Sequence, residues 1–161
     1  MNKYSVEIKW AALFSIMSLA WMWMEKAVGL HDIHIEKQVF YTNIIALPAI
    51  LIYVLALLEK KKKFYAGQMN YGQAFVSGTI LSIIVAILSP LVQSITFIGI
   101  TPDYFKNAIQ HSTQNNLMSK EAAESFFNLN NYITQGIYGA IIMGIITTAI
   151  VAIFVKTKAA K

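Results

Sequence analysis

The densest set of side chains able to do chemistry is His31-Asp32-Ile33-His34-Ile35-Glu36, with a third histidine, His111, far along the chain. Imidazole and carboxylate are the ligand types that hold zinc and similar ions. In an extended strand Asp32, His34 and Glu36 share a face, whereas a helical turn brings His31 beside His34. A zinc site made from His31, Asp32, His34, Glu36 and His111 requires the two segments to meet. The alternative is a polar connector whose acids pair with Lys26 and Lys37. A second set is Glu25, Asn43, Gln93 and Gln135, joined by Thr96. These are polar residues in or beside apolar runs, able to line an outward-facing vestibule or to hydrogen-bond between helices. There is no cysteine, so disulfides, thiol nucleophiles and thiolate ligands are excluded.

The elements that must position these groups are four long apolar stretches, in a chain of 161 residues that is 57% hydrophobic and only 13% charged. In lipid only helices and closed barrels satisfy their own backbone. The fold class is therefore all-α: a polytopic integral membrane protein, one domain over residues 1–161, with four transmembrane helices at about 6–24, 40–58, 74–100 and 133–155. The second span measures roughly 28 Å and the third about 40 Å at the helical rise, so the third tilts, kinks or projects. Pro90 withdraws a donor from the Ala86 carbonyl and Pro48 from that of Ile44, so both spans should bend there. Lys3 and Lys9 before Trp10–Met24 imitate a signal peptide, but Glu25 and Lys26 precede the weak Ala27-Val28-Gly29 site, so the segment should be retained.

The net charge of +5 comes from lysine alone, with no arginine. Bidentate phosphate recognition favours arginine, so nucleic acid is not expected as a partner. Topology uses the charge better. Lys3, Lys9, Lys60, Lys61, Lys62, Lys63, Lys156, Lys158 and Lys161 fall on one side of the four spans, against Lys26, Lys37, Lys106 and Lys120 on the other, where acids offset them. Both termini should then be cytoplasmic, with Trp10 at the inner interface and Trp21 and Trp23 at the outer one. Lys60–Lys63 can also attract anionic lipid.

Small residues recur every fourth position in the third span, through Gly78, Ser82 and Ala86, and in the fourth, through Ala140, Gly144 and Thr148. Close backbone approach drives helix association where lipid removes the hydrophobic term, so these two spans should pair there, in a right-handed crossing. The segment 101–131 is too long for a simple connection. Thr101 is placed to cap a helix opening at Pro102 with the stripe Tyr104, Phe105, Ala108 and Ile109. Ser119 is placed to cap another with Ala122, Ala123, Phe126 and Phe127, predicting an amphipathic helical hairpin on the outer surface.

Several blocks are also familiar together: Tyr4-Ser5-Val6-Glu7-Ile8-Lys9-Trp10, Glu25-Lys26, Gly29-Leu30-His31-Asp32, Tyr71-Gly72-Gln73-Ala74-Phe75, Thr101-Pro102-Asp103-Tyr104-Phe105 and Gln135-Gly136-Ile137-Tyr138-Gly139-Ala140. Over nearly its whole length the chain resembles the bacterial small membrane proteins of domain-of-unknown-function family 4199. The resemblance implies a four-span protein of the bacterial inner membrane and supplies no catalytic residues. The residues themselves favour a non-enzymatic accessory or structural component, acting through helix contacts with itself or another membrane protein. A small homo-oligomeric channel or carrier for a weakly polar solute is the alternative, and an outer-face metal-binding protein the third.

Overall fold

Helix-forming runs in this chain end where the backbone demands it, and the ends are well marked. The computed structural model describes residues 3–157, so Lys158 and Lys161 of the tail lie outside the described residues. Helix α1 (Ser5–Ala27) stops at Gly29, whose φ of 80° is open to glycine, and the Leu30 amide turns back to the Glu25 carbonyl at 3.0 Å. Helix α2 (Ile35–Thr42) runs through a 3-10 turn, Asn43–Ile45, into α3 (Ala46–Phe64). The break includes Ile44, whose carbonyl Pro48 leaves without an α-helical donor, as expected. Pro48 lies in the first turn of α3, where a missing N–H costs least.

Helix α4 (Tyr71–Ser94) opens on a capping box in which the Gln73 amide donates to Asn70 Oδ1 and the Asn70 amide donates to Gln73 Oε1, both at 2.9 Å. It passes through Pro90 as α-helix and widens to a π-turn only at Ile95–Ile100. Helix α5 (Tyr104–Gln114) starts two residues later than Pro102, and Thr101 is buried without capping it. Ser119 does cap α6 (Lys120–Phe126), accepting from the Ala122 amide at 3.2 Å. Asn128 caps α7 (Leu129–Val155) through the Asn131 amide at 2.9 Å.

Among the described residues three helical runs are long and apolar enough to cross a membrane: Ile35–Phe64, Tyr71–Ile100 and Leu129–Val155. Their outward faces are hydrocarbon, with Leu47, Ile87, Leu91 and Phe154 all strongly exposed. Helix α4 occupies the middle, packed most extensively on α7 and then on α1, while α3 touches α1, α4 and α7. Helices α4 and α7 are antiparallel, because a Cβ at Gly78 would strike Thr148, one at Gly144 would strike Ser82, and one at Gly136 would strike Ser89. In that register Ala86 stands opposite Ala140. Contacts of Glu7 with Ser77 and of Trp10 with Glu59 make α1 parallel to α4 and antiparallel to α3.

One end of the helices is tied by buried charge. Lys60, 4% exposed, holds Glu7 Oε1 at 2.8 Å, and Ser77 donates to the same oxygen at 2.7 Å. The other face of Lys60 lies over the Phe64 ring. This corrects the expectation for Lys60 as a lipid-facing cation: its charge is taken up by Glu7. Lys61 donates to the Val155 carbonyl at 2.8 Å, closing the C-terminus of α7. Lys63 and Lys9 both reach Glu59, and Lys62 is exposed.

Candidate functional site

Two adjoining cavities lie toward the opposite end, where α3 no longer closes on α7. The inner one, about 340 Å³, has Phe14, Ser15, Ser18 and Met22 of α1 on one side. Ala49 and Tyr53 of α3 and Gly136, Gly139, Ala140 and Met143 of α7 form the others, against Val85–Thr96 of α4. It exists because α7 offers side chains too small to fill the space, and a Cβ at Gly139 would meet nothing within 4 Å. Its floor is the hydrogen bond between Tyr53 and Ser82 hydroxyls, 2.8 Å, set on Gly144. Below that, Ala11, Tyr53, Ala56, Leu81 and Val85 form a packed core.

The outer cavity, about 670 Å³, is roofed by α5 and α6 and lined by hydrogen-bonding groups among aromatic rings. Asn43, Gln93 and Gln135 all line it, together with Gln38, Thr42, Tyr104 and Tyr132. Met22 and Gln93 line both cavities, so the two adjoin there. Around the outer cavity Phe97, Tyr104, Phe105 and Tyr132 stack edge to face, with Phe97 and Tyr132 centroids 5.1 Å apart. Burial, with Tyr132 beside it, pushes the Tyr104 hydroxyl well above the usual phenol range. It therefore stays neutral, 3.2 Å from the Tyr132 hydroxyl.

Glu25 is not with the amides it was grouped with. It is 1% exposed and accepts from Trp21 Nε1 at 2.6 Å. His31, 2% exposed, meets its other oxygen at 3.1 Å. The His31 ring packs edge-on to Tyr104, and its carbonyl accepts from Asn107 at 3.0 Å. This pair ties α1 to α5 behind the outer cavity. Sequence reading missed it because six residues and a glycine turn separate its members; the signal was Glu25 beside Trp21 four residues earlier, one helical turn.

The proposed metal ligands do not converge. His31 is spent on Glu25, Asp32 is exposed and bonded to the Ile33 amide, and His34 and Glu36 face each other at 4.0 Å on the surface. His111 lines the outer cavity with Glu36, its Nδ1 3.3 Å from Asn115. Among the described residues no group of three or more His, Asp or Glu is placed to hold a metal ion. What the cavity lining can do chemically is shelter apolar atoms and exchange hydrogen bonds with neutral polar ones.

Neither the curated proteins nor the solved structures contain a match to this chain. A family described as protein of unknown function (DUF4199) matches residues 9–157, nearly the whole sequence. By that extent of match the chain belongs to the DUF4199 family.

Proposed function

We propose that the protein is a non-enzymatic, single-domain, four-span component of the bacterial inner membrane that binds a weakly polar solute within its own helices. The observation that carries this reading is the pair of adjoining cavities that share Met22 and Gln93 in their walls. Helix α1, 23 residues or about 35 Å at the helical rise, supplies the fourth crossing. Four crossings with this lysine distribution leave both termini cytoplasmic, the cavities toward the outer face, and α5 and α6 as a helical hairpin over them. An accessory role through small-residue ridges has less support, because Gly78, Ser82, Gly144 and Thr148 serve contacts inside the chain. A pore is also less favoured, since the Tyr53–Ser82 floor ends the cavity midway. The binding space lies within one chain, so a homo-oligomer is not needed to form it.

The test is thermal unfolding of the full chain in detergent against a panel of uncharged, weakly polar solutes. A bound solute stabilises by mass action, by about 2.7 kcal/mol at a hundredfold excess over Kd. At least one class should raise the midpoint saturably in the natural chain and not in Gly139→Leu, which fills the inner cavity. A saturable shift equal in both chains, or none with any solute, would refute the reading.

A further inference from the structure

The shape and polarity of the two cavities also specify the class of solute, on the assumption that the binding role above is right. The inner cavity extends from Val85 to Thr96 along α4 and from Thr147 to Gly136 along α7. Eleven helical steps on each measure ~16 Å, half of the ~30 Å hydrocarbon core and so the depth of one leaflet. At about 340 Å³ it is larger than the ~150 Å³ apolar void that takes up benzene. Its walls are mostly apolar side chains; Ser15 and Ser18 donate to the Ala11 and Phe14 carbonyls at 3.0 and 2.9 Å, and Ser89 and Thr147 also line it.

Polar capacity gathers at the upper end instead. Thr96 is 1% exposed and its hydroxyl has no partner. Among the described residues the Gln93 and Gln135 side-chain amides are likewise without one. A buried hydroxyl left unpaired keeps its desolvation cost, which a ligand's polar end would recover. Among the described residues no lysine lines either cavity, and the carboxylate and imidazole that do are Glu36 and His111, both in the outer one, so an anionic head beside Thr96 and Gln93 would find no lysine to pair with. Met143 lines the inner cavity while remaining 60% exposed, so the space opens sideways beside α7, toward the acyl chains.

We propose that the cavities bind a single-chain amphiphile with an uncharged, hydrogen-bonding head. Its tail lies in the inner cavity and its head among Thr96, Gln93 and Gln135. The tail enters between α3 and α7 without leaving the hydrocarbon, and the head exchanges water for amide and hydroxyl partners under α5 and α6.

The experiment is photolabelling of the full chain in phosphatidylcholine vesicles with a monoacylglycerol carrying a diazirine along its chain, followed by peptide mapping. Adducts are expected at Phe14 and Met143, competed by mono-oleoylglycerol and not by oleate. Gly139→Leu should lower those adducts about tenfold, the effect of displacing two methylenes' worth of burial, and leave adducts at lipid-facing Phe154 unchanged. Adducts spread alike over Met143 and Phe154 and indifferent to Gly139→Leu would overturn the proposal, as would equal competition by oleate. If the amphiphile fails while a smaller neutral solute still shifts the melting point in a Gly139-dependent way, the solute class is wrong and the binding role stands. If both fail, both fall.

Discussion

Substituting alanine at two glycines of α7 separates the packing of this protein from its helix propensity. Glycine in a helix interior is less favourable than alanine by up to ~1 kcal/mol, so Gly144→Ala and Gly139→Ala start with the same gain. Their surroundings differ. A Cβ at Gly144 would sit 2.6 Å from the Tyr53 hydroxyl and 2.7 Å from Ser82 Cβ, with the Ser82 hydroxyl nearer still. Ser82 is fully buried, and Tyr53, 3% exposed, can move only into the inner cavity, away from Ser82. Either α3, α4 and α7 move apart, an overpacking cost of about 1–3 kcal/mol, or the Tyr53–Ser82 hydrogen bond is given up, at about 1–3 kcal/mol for a buried hydroxyl stripped of its partner. The propensity gain is common to both variants, so Gly144→Ala should be less stable than Gly139→Ala by about 1–3 kcal/mol. At roughly 2–4 °C per kcal/mol for a chain of this size, its midpoint should lie about 2–12 °C below that of Gly139→Ala. Gly139→Ala should hold its midpoint or raise it slightly. The assay is tryptophan-fluorescence melting of both variants in one detergent. Midpoints within about 2 °C of each other, a difference too small for the contact energies above, would refute the described meeting of α3, α4 and α7.

Two further predictions use features of the chain that simplify the experiment. Because it has no cysteine, single cysteines at Lys62 and Lys106, both exposed, report topology directly: a membrane-impermeant maleimide on intact spheroplasts should label Lys106→Cys and spare Lys62→Cys until the membrane is opened, and labelling of both from outside would remove the four-span arrangement. Lys60→Ala should destabilise by about 3–5 kcal/mol by stranding Glu7, whereas Lys62→Ala should stay within about 0.5 kcal/mol; equal midpoints in a melting experiment would mean that Lys60 faces lipid headgroups after all.

The parts legible in sequence are those set by local pattern. Continuous apolar runs give the all-helical class and three membrane-length helices, and Ser119 marks the start of α6 because capping depends on neighbours three residues apart. Long-range pairing was not legible. Lys60 belongs to a run of four lysines, and nothing local distinguishes it from Lys62; it is buried because Glu7, 53 residues away, comes to the same place. Glu25 resembles Gln93 and Gln135 as a polar residue at the end of an apolar run. It departs from them because the turn at Gly29 folds His31 back over it. The break at Asn43–Ile45, by contrast, was legible: it includes Ile44, whose carbonyl Pro48 cannot serve, and the Asn43 side chain donates to the Val39 carbonyl at 2.6 Å beside it.

The inner cavity, about 340 Å³, is a cleft held between α1, α3, α4 and α7 and open beside Met143. Collapse is opposed at both ends: the Tyr53–Ser82–Gly144 contact sets the spacing of α3, α4 and α7 below, and Glu25 and His31 pin α1 to α5 above. Between them Gly139, Ala140 and Ala49 face the void where any larger aliphatic residue would fill it. A protein whose helices served only to hold one another would gain stability from such filling, at about 0.8 kcal/mol per buried methylene. Here the close contacts are concentrated where they hold the cavity open, and the small side chains stand where they keep it empty. That division of labour within α7, with Gly144 in contact and Gly139 in open space, supports a binding role over a purely structural one.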